Sequence, residues 1–242
     1  MKKTVFSVLC VFLAFAAILP PVQAQQKKRR TSPARGVIQR QQLPPKEYIA
    51  TVLPISGSIT GGVYTNEYLG LRLRIPDGWS VVDADTSQQL NQKGGELMAG
   101  DSKELKSLME ESQTRIIQLF TLIKQLPPES PGGAPTGAMV IAVATPVPAE
   151  LFKSGEAYIE VAKYLLERTA VKPEFDGPVT KEMLGGIEFA TQHLHINHLG
   201  AVIKQKLSAT ILKGHAVVLT RVYLNDLGEQ SHDEVIRAMK FK

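Results

Sequence analysis

Three histidines fall within six residues of the stretch HLHINH: His193, His195 and His198. Neutral imidazole is the commonest metal ligand, and residues two apart on a strand project to one face. His193 and His195, with a third ring delivered by a turn at His198, are therefore the candidate zinc or copper site of a metal-dependent hydrolase. Against that chemistry, a ligating histidine usually hands its other ring proton to an acceptor, and no carboxylate lies nearby in sequence. A hairpin through the segment also sets a lysine beside His193. The residues favour a polar sheet face over a metal.

The other catalytic letters read as caps and turns. Asp83 and Asp85, in VVDADTS, follow a strand and suit the start of a helix better than a carboxylate pair. Ser231, His232 and Asp233 are consecutive, and neighbours at a helix start cannot converge as nucleophile, base and orienter. Ser231 with Glu234 reads instead as a capping box. The glycine-rich GSITGG, residues 57–62, lacks the Gly-Lys-Ser/Thr ending of a phosphate loop. Arg72 and Arg74 share one strand face and read as a solvated surface that could grip an acidic partner. No residue is assigned as catalytic, cofactor-binding or metal-ligating, and no cofactor is expected.

These residues need elements to hold them. Leu71, Leu73 and Ile75 alternate with Arg72 and Arg74, which predicts a strand with one buried face. Pro76-Asp77-Gly78 is a turn, and WSVVD from Trp79 reads as the returning strand, its indole on the leucine face. Asp101, with Glu104 three residues on, opens a predicted helix over 102–126, ended by Pro127. Its extra apolar residues Ile117 and Leu122 give a broad surface, read as buried. PPESPGGAPTG is a loop, 138–145 a central strand, 154–168 a helix and VKPEFDGPVT a loop. Strands are expected around 183–196, 202–212 and 215–224, then a short final helix from the 231–234 box through Met239. A two-residue turn at His198-Leu199 would place Leu194 opposite Ile203, Gln192 opposite Gln205 and His193 opposite Lys204.

Charge and targeting signals divide the 242 residues. The chain opens with two lysines, an apolar run from Val5 to Leu19, Pro20-Pro21 and a small residue at Ala24. This is the pattern of a signal peptide over 1–24, cleaved after Ala24. The competing reading is an uncleaved anchor, but the run is short of the ~20 residues a span needs. Cys10, the single cysteine, lies within that run, so the mature chain has no thiol chemistry. Nine of the 28 Lys and Arg and none of the 23 acids fall in the first 46 residues, which leaves residues 47–242 at net −4. Residues 25–60 read as a basic arm and linker. Its Lys27, Lys28, Arg29 and Arg30 could make a weak, salt-sensitive contact with an anionic polymer or membrane surface. No sequence-specific nucleic-acid contact is expected.

The motif Y-x-N-x-x-x-G-L-x-L-x-x-P-x-x-W, carried by Tyr64, Asn66, Gly70, Leu71, Leu73, Pro76 and Trp79, resembles the entry hairpin of the PsbP-like fold. That fold is shared by the photosystem extrinsic protein PsbP, a Ran-binding import factor and exported bacterial proteins. LGGIEFA, at 184–190, and the short helix near Phe241 are similar in order. Leucines at 71 and 73 depart from the family's frequent Phe. The resemblance implies an α+β domain over 61–242, an antiparallel sheet flanked by helices as an α/β/α sandwich. It implies binding of partners and brings no catalytic residues. The expected role is an exported, non-enzymatic binding domain of the bacterial envelope, secreted or periplasmic. The histidine hydrolase and the anionic-surface binder remain open alternatives.

Overall fold

The computed structural model describes residues 55–126, 136–198 and 200–242. The segment read as a signal peptide, most of the segment read as a basic arm and most of the proline-rich segment lie outside the described residues. Among the described residues, eleven strands form two antiparallel sheets with four helices. The small sheet has β1 (Ser58–Thr60), β2 (Val63–Asn66), β3 (Leu71–Arg74) and β11 (Met239–Phe241), in that spatial order. The large one has seven strands: β4 (Ser80–Val81), β5 (Ile117–Leu126), β6 (Thr136–Pro146), β10 (His215–Tyr223), β9 (Ala201–Leu212), β8 (Ile187–His198) and β7 (Glu174–Leu184).

Period-two side-chain placement gives the large sheet two apolar faces and hence two cores. One face carries Met139, Ile141, Val143, Leu194, Ile203, Leu207 and Val218. It is covered by α1 (Ala84–Ala99), α2 (Lys103–Gln113) and α3 (Gly155–Leu166), through residues such as Met98, Met109, Tyr158 and Ile159. The other face carries Leu122, Val140, Ala142, Phe189, Val217 and Leu219. The small sheet and α4 (Asp226–Ala238) lie on it, with Tyr64, Leu71, Leu73, Trp79 and Val235. The expected α+β fold with an antiparallel sheet between helical layers is present, and a second sheet shares one layer with α4.

Several expected elements are corrected. WSVVD does not return beside Leu71–Arg74, whose neighbours are β2 and β11. After the Pro76–Gly78 turn the chain crosses to the large sheet, where Ser80 and Val81 pair with β5. Trp79 does reach the leucine face. The predicted helix over 102–126 is two elements: α2, capped by Ser102 rather than Asp101, and strand β5. β5 lies inside the sheet with both faces covered, so its apolar residues run together and mimic a helical stripe.

The segment VKPEFDGPVT is mostly strand, because β7 begins at Glu174. The strand expected over 183–196 is broken by a turn at Gly185-Gly186, both at positive φ. Ser231–Glu234 is not a helix start. Asn225 caps α4, and the Ser231 hydroxyl donates back to the Leu227 carbonyl within the helix. The hairpin register is corrected by two residues. The chain reverses between His198 and Ala201, with Gly200 at φ +82°, so Leu194 lies opposite Gln205 and His193 opposite Lys206. An even slip keeps every side chain on its expected face.

Candidate functional site: a charged corner of the large sheet

The structure brings His193 and His195 to one face and sends His198 to the other, since 193 and 195 share strand parity and 198 does not. The three rings do not converge. Among the described residues no group of three or more His, Cys, Asp or Glu is arranged to hold a metal ion. What surrounds the two histidines is a register-built array. One row across β10, β9, β8 and β7 reads Arg221, Lys206, His193, Asp176; the next reads Tyr223, Lys204, His195, Glu174. Each row thus repeats the order lysine, histidine, carboxylate.

The carboxylate column was missed in the sequence because Pro173, Gly177 and Pro178 suggest a loop. The signal was Glu174-Phe175-Asp176, an alternation whose aromatic member turns to the helix-covered core. Asp176 accepts from or shares a proton with His195 Nδ1 at 3.0 Å, and Glu174 lies 3.5 Å from Nε2, so the ring is bracketed by acids. On the opposite side, α4 supplies acids to the lysines: Glu229 lies 2.7 Å from Lys206 and Asp226 lies 4.0 Å from Lys204.

Burial and the cations Lys206 and Arg221 hold the His193 imidazole below its usual pKa, so it is neutral at pH 7. Burial works to raise the Glu229 carboxyl, but the bond from Lys206 outweighs it and the pKa is lowered. Tyr223, buried beside Glu229, is pushed up to about 12 and stays a phenol. The rows are therefore internally matched, with the acids at the rim most exposed: the side chains of Asp226 and Glu174 are 86% and 67% accessible.

Asp176 and His195 pair as the acid–base half of a hydrolytic relay would, but among the described residues no hydroxyl is hydrogen-bonded to the His195 ring. The hydroxyls of Thr191 and Ser208 on this face bond each other at 2.9 Å. Thr191 is four residues up the strand from His195, roughly 13 Å at strand rise. Arg72 and Arg74 are elsewhere, on the solvent side of the small sheet with Leu71 and Leu73 buried beneath. Asp83 caps α1 as read, accepting from the backbone and hydroxyl of Thr86 at 2.8 Å. His232, read as part of a cap, is buried between Trp79 and Tyr223. Among the described residues no helix is long and apolar enough to cross a membrane.

No family model matches the chain, and no curated protein matches it. Among solved structures the chain is similar to LpqN of Mycobacterium tuberculosis, described as involved in cell envelope biogenesis. Identity is 14%, TM-score 0.38, and the match covers 71% of this chain and 83% of that one. It is also similar to the cyanobacterial PsbP, CyanoP, of Synechocystis sp., at 12% identity and TM-score 0.40, over 77% of this chain and 98% of that one. Both likenesses are distant, and the function is read from the chain's own residues.

Proposed function

We propose that this chain is an exported, non-enzymatic binding domain of the bacterial cell envelope that engages a partner protein through the charged corner. The observation that carries the reading is the doubled row of lysine, histidine and carboxylate beside α4 at the sheet edge, open to solvent chiefly in its outer row, where the Lys204 and Glu174 side chains are 44% and 67% exposed. Val202, in the next row of β9, and Leu227, beside Asp226 on α4, are both nearly half exposed. Apolar contacts beside matched charges are the composition of a protein interface, where charge pairs set register and desolvated side chains hold the partner. The signal-peptide pattern of residues 1–24 supports export.

A photo-crosslinking residue placed at Val202 in intact cells tests this, with Tyr164 on the opposite face as control. The expected result is a discrete adduct from position 202, lost on Lys204→Glu. Equal adduct patterns from both positions, or none from position 202, would overturn the reading.

The seven Lys and Arg of residues 25–46 support a second contact, with an anionic polymer or membrane surface through Lys27, Lys28, Arg29 and Arg30. Retention on anionic vesicles should then fall with salt and vanish when the segment is removed.

A further inference from the structure

The described residues form two open clefts of similar size and opposite chemistry. One, of about 370 Å³ beside the start of α3, is lined by Lys153, Lys181, Glu156 and Glu188. The other, of about 390 Å³, lies where α1 and α2 meet the start of β5, and it is lined by amides and hydroxyls: Gln88, Asn91, Gln113, Gln118, Ser87 and Thr114. Its one charged residue is Glu110, and Ala84 and Ile116 add small apolar walls.

From this second cleft we infer a binding site for a neutral, hydroxyl-rich ligand, a saccharide unit. An anion is excluded because, among the described residues, no cation lines the cleft to neutralise it and Glu110 would repel it. A cation would meet that single carboxylate among groups that are otherwise all neutral, which favours an uncharged ligand. Hydroxyl groups are indicated because each planar amide offers two donors and an acceptor at fixed angles. A ring of vicinal hydroxyls can use both at once. The amides are incompletely engaged. Asn91 donates to Gln118 at 3.3 Å and Gln113 donates to the Asn91 carbonyl at 3.3 Å, both long bonds that a ligand can replace.

Gln118 is the fixed element. Its amide nitrogen is held by the Phe120 carbonyl at 3.0 Å and by Thr121 Oγ1 at 3.0 Å. That leaves its oxygen aimed at Asn91. Gln88 makes no side-chain hydrogen bond to another described residue and is free to close on a ligand. The volume suits a small molecule. The site is separate from the charged corner, since α1 and α2 cover the opposite face of the large sheet.

The test is NMR of the purified chain titrated at millimolar concentration with glucose, N-acetylglucosamine and their β1,4-linked oligomers, with sedimentation against purified peptidoglycan as a separate arm. Saturable shifts confined to the side-chain amides of Gln88, Asn91, Gln113 and Gln118 are expected. Asn91→Ala or Gln113→Ala should each weaken binding about tenfold. The exposed Gln88→Glu, which leaves the fold unchanged, should weaken it as well. Shifts with the free sugars assign the cleft to soluble saccharide, and co-sedimentation sensitive to the same variants assigns it to the polymer. Absence of both, shifts that survive the variants, or the same shifts produced by tetra-alanine would overturn the inference. Crosslinking at Val202 is independent of these variants, so failure here leaves the charged corner's reading standing.

Discussion

Arg221 on β10 and Glu182 on β7 meet over the two strands between them, the guanidinium forking onto both carboxylate oxygens, with Nη1 at 2.9 Å from Oε1. Ser208 accepts from the same guanidinium at 2.9 Å, and Thr191 donates to Glu182 at 3.1 Å. This polar bar separates the apolar region of Phe189, Val217 and Leu219 from the open charged rows. Burial works to raise the Glu182 carboxyl, but Arg221 and Thr191 outweigh it and keep it ionised.

The two ends of the bar differ in exposure, and that difference predicts an order of effects. The Arg221 side chain is 3% exposed and that of Glu182 is 35% exposed. Glu182→Leu strands the buried guanidinium and is expected to cost about 3–5 kcal/mol. Arg221→Leu leaves a carboxylate that water can partly reach and should cost less. The double variant should recover most of the loss, because no charge is left uncompensated. Urea unfolding followed through Trp79, the chain's one tryptophan, measures all three; strict additivity would contradict the bar.

His232 predicts a pH dependence. The residue is 2% exposed, and among the described residues neither ring nitrogen has a partner in hydrogen-bond geometry. The Val222 and Met139 backbone lies near enough to favour the proton weakly, but burial, with Arg221 second, depresses the pKa to about 3. Between pH 6.5 and 3 the unfolded chain therefore binds a proton that the folded chain refuses. Stability is complete above 6.5 and falls as pH is lowered, by up to about 1.4 kcal/mol per unit. In His232→Leu the slope of melting temperature against pH over 6.5–4 should flatten relative to the parent. Parallel slopes would show the imidazole already accommodated as a cation.

Trp79 is tied to α4 by its indole N–H, which donates to Glu234 at 2.9 Å, while Lys124 of β5 holds the same carboxylate at 2.7 Å. Lys124 lowers the Glu234 pKa; burial, next in size, opposes it, and the Trp79 bond adds a lesser lowering. This contribution is present above the ordinary carboxylate range and is lost as pH falls below it. Because the Glu234 side chain is 37% exposed, Glu234→Gln should cost no more than about 1 kcal/mol. The expected signature is a shifted Trp79 emission maximum at nearly unchanged stability; an unshifted spectrum would mean the indole bond does not persist in solution.

Elements whose two faces meet different surroundings were legible. Leu71–Arg74 alternates buried and exposed residues, and α3 carries one stripe capped by Ser154, so period alone placed them. β5 was not legible, because both of its faces are buried. α1 was marked only by its cap at Asp83; its Gln, Asn and Gly residues make too weak a stripe for periodicity to detect. The same polarity that hid α1 lines the amide cleft. At the charged corner the lysines and histidines were readable on β8 and β9. The acids were not, because Glu174 and Asp176 become neighbours of the histidines only through pairing with an edge strand interrupted by a bulge.

The seating of α3 on the sheet predicts opposite outcomes for the same substitution at two glycines. A Cβ on Gly155 would lie 1.9 Å from the Ala209 carbonyl oxygen and 2.7 Å from its carbon. Those atoms belong to β9, inside the sheet, and cannot yield, so the helix must lift and loosen Tyr158, Ile159 and Ala162 from the core. Gly155→Ala is expected to destabilise by about 1–3 kcal/mol. At Gly95, within α1, the nearest atom to an added Cβ is the Gln113 side-chain nitrogen at 3.2 Å, the far end of a flexible chain that can move aside. Gly95→Ala should gain up to about 1 kcal/mol from helix propensity. Urea midpoints moving in opposite directions would confirm that backbone contact sets the position of α3; a tolerated Gly155→Ala would mean that α3 is not seated on β9 so closely.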